Sequence, residues 1–247
     1  MPVVFNDIDS FLKNNQDSNI NFCVANNAVL KMVDNLLVSA KLNNISIVLF
    51  ALDEKIVENM SGQCVIVKHY NKFNNKVKQN NFYTYGTSEF KNVIFQRFFI
   101  GSEILKHQKS YIYIDVDIVI TKNFVNDILE QYHNTEYDCL AQYNGSNCCT
   151  GFYSMIPNTK TMAIDRQFFE KHNYEKYNTN QPFFNGIILK KKLLNIKFLN
   201  RDHYPNGSYF YKNNKEINNM CFIIHFNCII GYEEKIIKMK KYKYWYL

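Results

Sequence analysis

Two carboxylates, Asp115 and Asp117, interrupt the apolar run Tyr111-Ile112-Tyr113-Ile114-Asp115-Val116-Asp117-Ile118-Val119-Ile120. The β-branched and aromatic residues on either side have the composition of a strand buried on both faces. Residues two apart on a strand share a face, so the two carboxylates would project side by side. Burying such a pair with no positive partner costs several kcal/mol. A divalent cation supplies that partner, because hard ions such as Mg2+ or Mn2+ take carboxylate oxygens and share their shell with substrate phosphates. The competing reading ends the strand near Ile114 and leaves both aspartates as solvated turn or cap residues.

The elements that would position this pair follow from periodicity. Residues 20–24 read as a strand, Asn26-Asn27 as its exit and residues 28–42 as a helix; residues 45–51 read as a second buried strand. A short helix or turn around 55–60 leads to a third strand at 65–67. Residues 90–105 are amphipathic at helical spacing, carry Arg97 between apolar neighbours, and feed the Asp-x-Asp strand at 111–120. Strand and helix in alternation predict a parallel α/β sheet, whose ligand site lies at the carboxyl ends of the strands. Asn26, Asn27, Asp115 and Asp117 all fall at such ends.

Further along, residues 123–132 read as a helix, 139–143 as a short strand and 144–150 as a small polar loop. Residues 151–155 read as a strand whose Gly151 permits close backbone approach to a ligand. A helix is expected over 161–176, then short strands or turns at 187–189 and 196–199, a turn at Pro205-Asn206-Gly207, and a last strand at 221–225 ending in His225. The C-terminal segment 225–247 reads as a lid, with His225, Gly231, Lys235 and Trp245 as its ingredients. No Pro/Gly/Ser linker or internal repeat divides residues 1–247, which are expected to form one domain.

At 247 residues, 47% hydrophobic and 16% aromatic, the chain has the composition of a folded protein rather than a disordered one. Its net charge of +7 suits a phosphorylated ligand, an anionic surface or nucleic acid. Seven cysteines without zinc spacing, no signal-like N-terminus and no apolar run long enough to span a bilayer point to a cytoplasmic protein with free thiols.

Taken in order, Asn26 and Asn27, Arg97, Asp115-Val116-Asp117, Thr150-Gly151, Asn180-Gln181, then His225, Asn227, Gly231 and Lys235 resemble the nucleotide-diphospho-sugar transferases of the GT-A fold. The resemblance is to the glycosyltransferase family 77 group and, more distantly, to family 8, over residues 20–245. It implies a GT-A fold, Rossmann-like, with a mostly parallel central sheet flanked by helices. It implies a donor such as a UDP-sugar held through its diphosphate by Mn2+ or Mg2+, with Asp115, Asp117 and His225 as ligands. Ala25, Asn26, Asn27, Arg97, Val116, Thr150, Gly151, Gly231 and Lys235 would bind the donor, and Gln181 and Asn180 would face the reacting sugar. A glycan or glycoprotein acceptor is implied, with no nucleic acid and no membrane span, and retention of configuration is expected. This chain departs from the pattern in carrying Asn180 where relatives carry Asp, Arg97 where they usually carry Lys, and Cys149 where Asn or Ser is more usual. The Asn180 departure speaks for an alternative reading, a catalytically weak nucleotide-sugar or glycan-binding module. The net charge and the basic-aromatic tail 235–246 speak for a third, a nucleic-acid-binding protein.

Overall fold

The structure is a computed structural model and describes residues 3–69 and 87–247. Among these, eight strands form one sheet in the order β1-β4-β3-β2-β5-β8-β7-β9. The strands are β1 (Val4–Phe5), β2 (Asn19–Ala25), β3 (Val48–Ala51), β4 (Val65–Lys68), β5 (Ser110–Ile114), β7 (Cys139–Asn144), β8 (Asn147–Met155) and β9 (Ile196–Phe198). The strands from β1 to β5 pair in parallel, β8 runs antiparallel to both its neighbours, and β9 returns parallel to β7. A second sheet of two antiparallel strands joins β6 (Ile118–Ile120) to β10 (Ile223–His225).

Alternation along the strands explains the layering. On β5, Tyr111 and Tyr113 enter one core, while Ile112 and Ile114 enter the other on the opposite face. Both faces are apolar because helices cover both. The first core receives α1 (Ile8–Asn14) and α4 (Ser88–Lys106); the second receives α2 (Leu30–Leu42), α3 (Glu54–Met60) and α5 (Val125–Glu130). The mixed but mostly parallel α/β architecture expected from the alternation is present, and no helix of the described residues is long and apolar enough to cross a membrane. All seven cysteines are free thiols.

Several local expectations are overturned. The run 111–120 is two strands: β5 ends at Ile114, as the competing reading has it, and residues 115–117 form the turn to β6, but Asp117 is buried rather than solvated. Residues 144–150 are a tight hairpin, with Gly145 and Ser146 both at positive φ, rather than a long loop. The helix over 161–176 is three pieces: α6 (Thr159–Met162), α7 (Arg166–Lys171) and a 3-10 turn at Tyr174–Lys176. Asn158 and Asp165 each accept a backbone N–H and start a new helix, and Asn173 turns left-handed at φ 50°, so capping chemistry overrides the apolar period. The short helix α8 (Asn180–Phe183) passes into a π-helix at Phe184–Leu189, where strand or turn is expected; a short apolar run does not distinguish buried strand from buried helix. Pro205-Asn206-Gly207 is less a turn than a helix start, Asn206 capping α9 (Gly207–Ile217) by accepting from Tyr209 N–H. The last helix, α10 (Tyr232–Lys241), packs Ile236 and Met239 inward.

Candidate metal and donor site

The carboxyl edge of the parallel sheet carries the site. β2 and β5 are neighbours in register, Phe22 opposite Tyr113, so Ala25, Asn26 and Asn27 leave the sheet at the same edge as Asp115. Asp53, at the exit of β3, accepts from Asn27 N–H at 2.8 Å and from Ile56 N–H at 2.8 Å, which ties the Asn27 turn to the start of α3.

Asp115 and Asp117 do not share a strand face; a turn brings them together. Ile118 N–H donates to Asp115 O at 3.1 Å and closes that turn. On one side Asp115 N–H donates to Gly151 O at 2.8 Å, and on the other Phe226 N–H donates to Asp117 O at 2.9 Å. The β6–β10 register sets His225 opposite Ile118, one residue beyond Asp117, which is what delivers the imidazole. One ligand atom from each of Asp115, Asp117 and His225 lies within 4.8 Å of the others.

The orientation of these groups is tightly held. His225 is 2% exposed, with Nε2 3.1 Å from Asp117 Oδ1 and 3.8 Å from Asp115 Oδ2. Yet Nε2 makes no hydrogen bond. It points at two carboxylates, at ion-pair distance from Asp117 but without hydrogen-bond geometry. Gly151 explains why the cluster fits: a Cβ there would lie 2.2 Å from His225 Cε1 and 2.5 Å from Asp115 Oδ2. Only glycine leaves that space to the ligands.

Positive groups surround the pair. Arg97 Nη2 lies 2.9 Å from Asp115 Oδ1, Nη1 donates to Thr150 O at 2.9 Å, Nε donates to Ile94 O at 2.9 Å, and the guanidinium stacks over Tyr113 at 4.3 Å. Tyr113 OH donates to the same Asp115 Oδ1 at 2.6 Å. Lys235 Nζ donates to Asp117 Oδ2 at 2.6 Å. Burial works to raise the Asp117 carboxyl, but the Lys235 ammonium and the His225 imidazole outweigh it and hold it well below the usual carboxylate range. For His225 burial works downward, and the Asp117 carboxylate prevails, pushing it up to about 10. Arg97 likewise goes up against burial, chiefly through Asp115. The two carboxylates thus keep Arg97, His225 and Lys235 charged around them.

The other expected residues assemble around this centre to different degrees. Val116 lies half-buried in the turn between the aspartates, and Thr150 meets Arg97 through its carbonyl. Asn180 Nδ2 donates to Ile94 O at 3.4 Å, the carbonyl that Arg97 also uses, so Asn180 and the adjoining half-buried Gln181 stand on the Arg97 side. Gly231, at φ 103°, is the N-cap of α10 and sets Lys235 one turn into that helix. Two further residues support the cluster: Gln142 carries no advance signal, whereas Asn185 belongs to the Phe183-Phe184-Asn185 run that supports the family resemblance. Gln142 is fully buried and its Oε1 lies 2.8 Å from His225 Nδ1. Asn185 fixes the strand before Gly151 by accepting from Cys148 N–H at 2.8 Å and donating to Cys148 O at 3.0 Å. Gln142 looks like an ordinary polar residue of a strand in sequence, since the contact that distinguishes it spans 83 positions.

The profile of a family described as nucleotide-diphospho-sugar transferase matches residues 41–239 of this chain. A curated relative, the UDP-galactose:fucoside alpha-3-galactosyltransferase of Dictyostelium discoideum, is 24% identical over 224 residues, covering 80% of this chain and 35% of that protein. The chain thus spans about a third of that relative's length. Among solved structures, the glycosyltransferase GlyE of Streptococcus pneumoniae TIGR4 aligns with a TM-score of 0.54 at 14% identity, covering 93% of this chain and 64% of that one. Mouse xyloside xylosyltransferase 1 in its apo form aligns with a TM-score of 0.50 at 13% identity, covering 92% and 98%. At these identities the likeness is one of fold.

Proposed function

This chain belongs to the nucleotide-diphospho-sugar transferase family and has its GT-A fold, and on that premise we propose that it is a metal-dependent glycosyltransferase. It takes a sugar from a UDP-sugar and passes it to a glycan or glycoprotein acceptor with retention. The observation that carries this reading is the convergence of Asp115, Asp117 and His225, with His225 Nε2 directed at both carboxylates, 3.1 Å from Asp117 Oδ1 and 3.8 Å from Asp115 Oδ2. Two carboxylates and one imidazole fit Mn2+, which accepts nitrogen more readily than Mg2+ does. A cation held there supplies charge to a departing nucleoside diphosphate.

The chain's own residues do the remaining work. The turn 115–117 presents its carboxylates at the edge where nucleotides bind in parallel α/β sheets. Arg97 holds Asp115 in position, and Asn180 and Gln181 stand beside it toward the sugar. The N-terminus of α10 directs Gly231 and its neighbours' N–H groups toward the diphosphate, with Lys235 adding a full charge. Asn26 and Asn27 line the nucleoside side. Residues 1–247 act as one domain in this reading.

The named activity of the Dictyostelium relative makes UDP-galactose the first donor to test and a fucoside the first acceptor. Thermal stability measured across nucleotide sugars with and without Mn2+ tests donor binding, and hydrolysis or transfer of the stabilising donor tests turnover. A donor that stabilises with Mn2+ and turns over supports the proposal. Stabilisation without turnover under any acceptor leaves a binding module, and no stabilisation by any nucleotide sugar removes the reading.

A further inference from the structure

We propose that Gln142 is the positioning residue that makes His225 a ligand through Nε2. The inference rests on the metal reading above and concerns a residue of β7 that does not touch the ligand cluster. Gln142 is fully buried, and both ends of its amide are committed. Its Nε2 reaches two backbone carbonyls, Tyr204 O at 3.2 Å and Pro205 O at 2.9 Å, and its Oε1 reaches His225 Nδ1 at 2.8 Å.

This arrangement has one consistent proton assignment. Carbonyls only accept, so the two of them require the NH2 end of the amide. The oxygen end then faces the imidazole, and an oxygen acceptor requires a donor, so Nδ1 carries a proton. With Nδ1–H committed to Gln142, the ring nitrogen that can offer a lone pair is Nε2, and Nε2 is the atom aimed at Asp115 and Asp117. Cys149 Sγ, 3.7 Å from Nδ1, is a weaker neighbour and already accepts from Asn227 Nδ2 at 3.4 Å.

The backbone shows how the residue is placed there. The β7–β8 ladder runs in register to Ala141 opposite Tyr153, then shifts so that Gln142 stands opposite Cys149. Bulges re-aim side chains and are frequent beside functional sites. This one leaves residues 150–152 without a partner on β7 and turns Gln142 toward the β10 exit. One irregularity thus serves two ends: it frees the Thr150 carbonyl for Arg97 and presents the amide to His225.

The test titrates Mn2+ by calorimetry in the presence of UDP into wild type, Gln142→Met and Tyr204→Phe. Methionine keeps the volume and removes the acceptor, whereas Tyr204→Phe loosens the segment carrying the two carbonyls, by deleting the 2.6 Å bond to Asp127, and leaves Gln142 in place. Gln142→Met is expected to weaken Mn2+ about 10–100-fold, the usual effect of removing a partner that orients a ligand. Tyr204→Phe should stay within about threefold of wild type, while both variants melt earlier. A Gln142→Met affinity within threefold of a wild type that does bind Mn2+ would overturn the assignment and leave the metal site standing. Equal losses in the two variants would overturn it as well, since loosening alone would then explain both. A wild type without Mn2+ binding removes the metal reading and this inference together. If Gln142→Met does not fold, nitrogen NMR of wild type with labelled histidine and Zn2+ as a diamagnetic probe decides the matter. A proton on Nδ1 and metal on Nε2 is the expected result; the reverse contradicts it.

Discussion

Lys235 and Asp117 lie 118 positions apart in the chain and meet with Nζ 2.6 Å from Oδ2. The contact joins the helix after the last strand to the turn that carries the carboxylates. In the proposed function Lys235 exchanges the Asp117 carboxylate for a phosphate of the donor. Lys235→Ala should weaken UDP binding in the presence of Mn2+ by about 1.5–3 kcal/mol, or one to two decades. Lys241, exposed at the end of the same helix, should change it little when replaced by Ala. Calorimetry on both variants checks this. Comparable losses would mean that α10 acts through diffuse charge rather than through a directed contact.

Gly151→Ala should abolish Mn2+ binding, because the added methyl falls 2.2 Å from His225 Cε1 and 2.5 Å from Asp115 Oδ2. The imidazole and the carboxylate must both move away, and the ligand cluster opens. Electron paramagnetic resonance of Mn2+ with UDP reads this directly. Retained Mn2+ affinity would show that the cluster does not need the space that Gly151 leaves.

Arg97→Met should destabilise the fold by about 3–5 kcal/mol, because it strands the Asp115 carboxylate and two backbone carbonyls. For a chain of this size the melting temperature should fall by roughly 6–20 °C. Arg97→Lys should recover only part, since one ammonium cannot serve Asp115, Thr150 and Ile94 with the geometry of a guanidinium fork. Full recovery by lysine would reduce Arg97 to a point charge.

Retention predicts that NMR of the first-formed product shows the donor's anomeric configuration. The Asn180-Gln181 site offers amides and no carboxylate base, which an inverting displacement would need near the acceptor hydroxyl. An inverted linkage would refute this and redirect attention to another acid.

Much of this was legible because carboxylates inside an apolar run have few structural uses. The strands flanking Asp115 and Asp117, the helix bearing Arg97 and the strand ending in His225 could all be read from periodicity alone. The geometry linking them could not. Period-2 reasoning placed the aspartates on one strand face, whereas a turn clamped by Gly151 O and Phe226 N–H brings them together. The helix from Gly207 to Ile217 escaped notice because Tyr, Asn and Lys dominate it, and its start at Asn206 imitates a turn. Gln142 was invisible for a different reason: its role depends on long-range hydrogen bonds and on a bulge that leaves residues 150–152 unpaired with β7, which no local pattern encodes.

The most direct test of the account is UDP binding to Asp115→Asn/Asp117→Asn, measured by thermal shift with and without Mn2+. The account predicts a folded double variant that has lost the Mn2+-dependent stabilisation by UDP shown by wild type. The double variant should melt earlier than wild type, because Arg97, Lys235 and His225 lose the carboxylates that pair with them, so the quantity compared is the shift that UDP produces in each protein. UDP stabilisation that keeps its full Mn2+ dependence in the double variant would contradict the account.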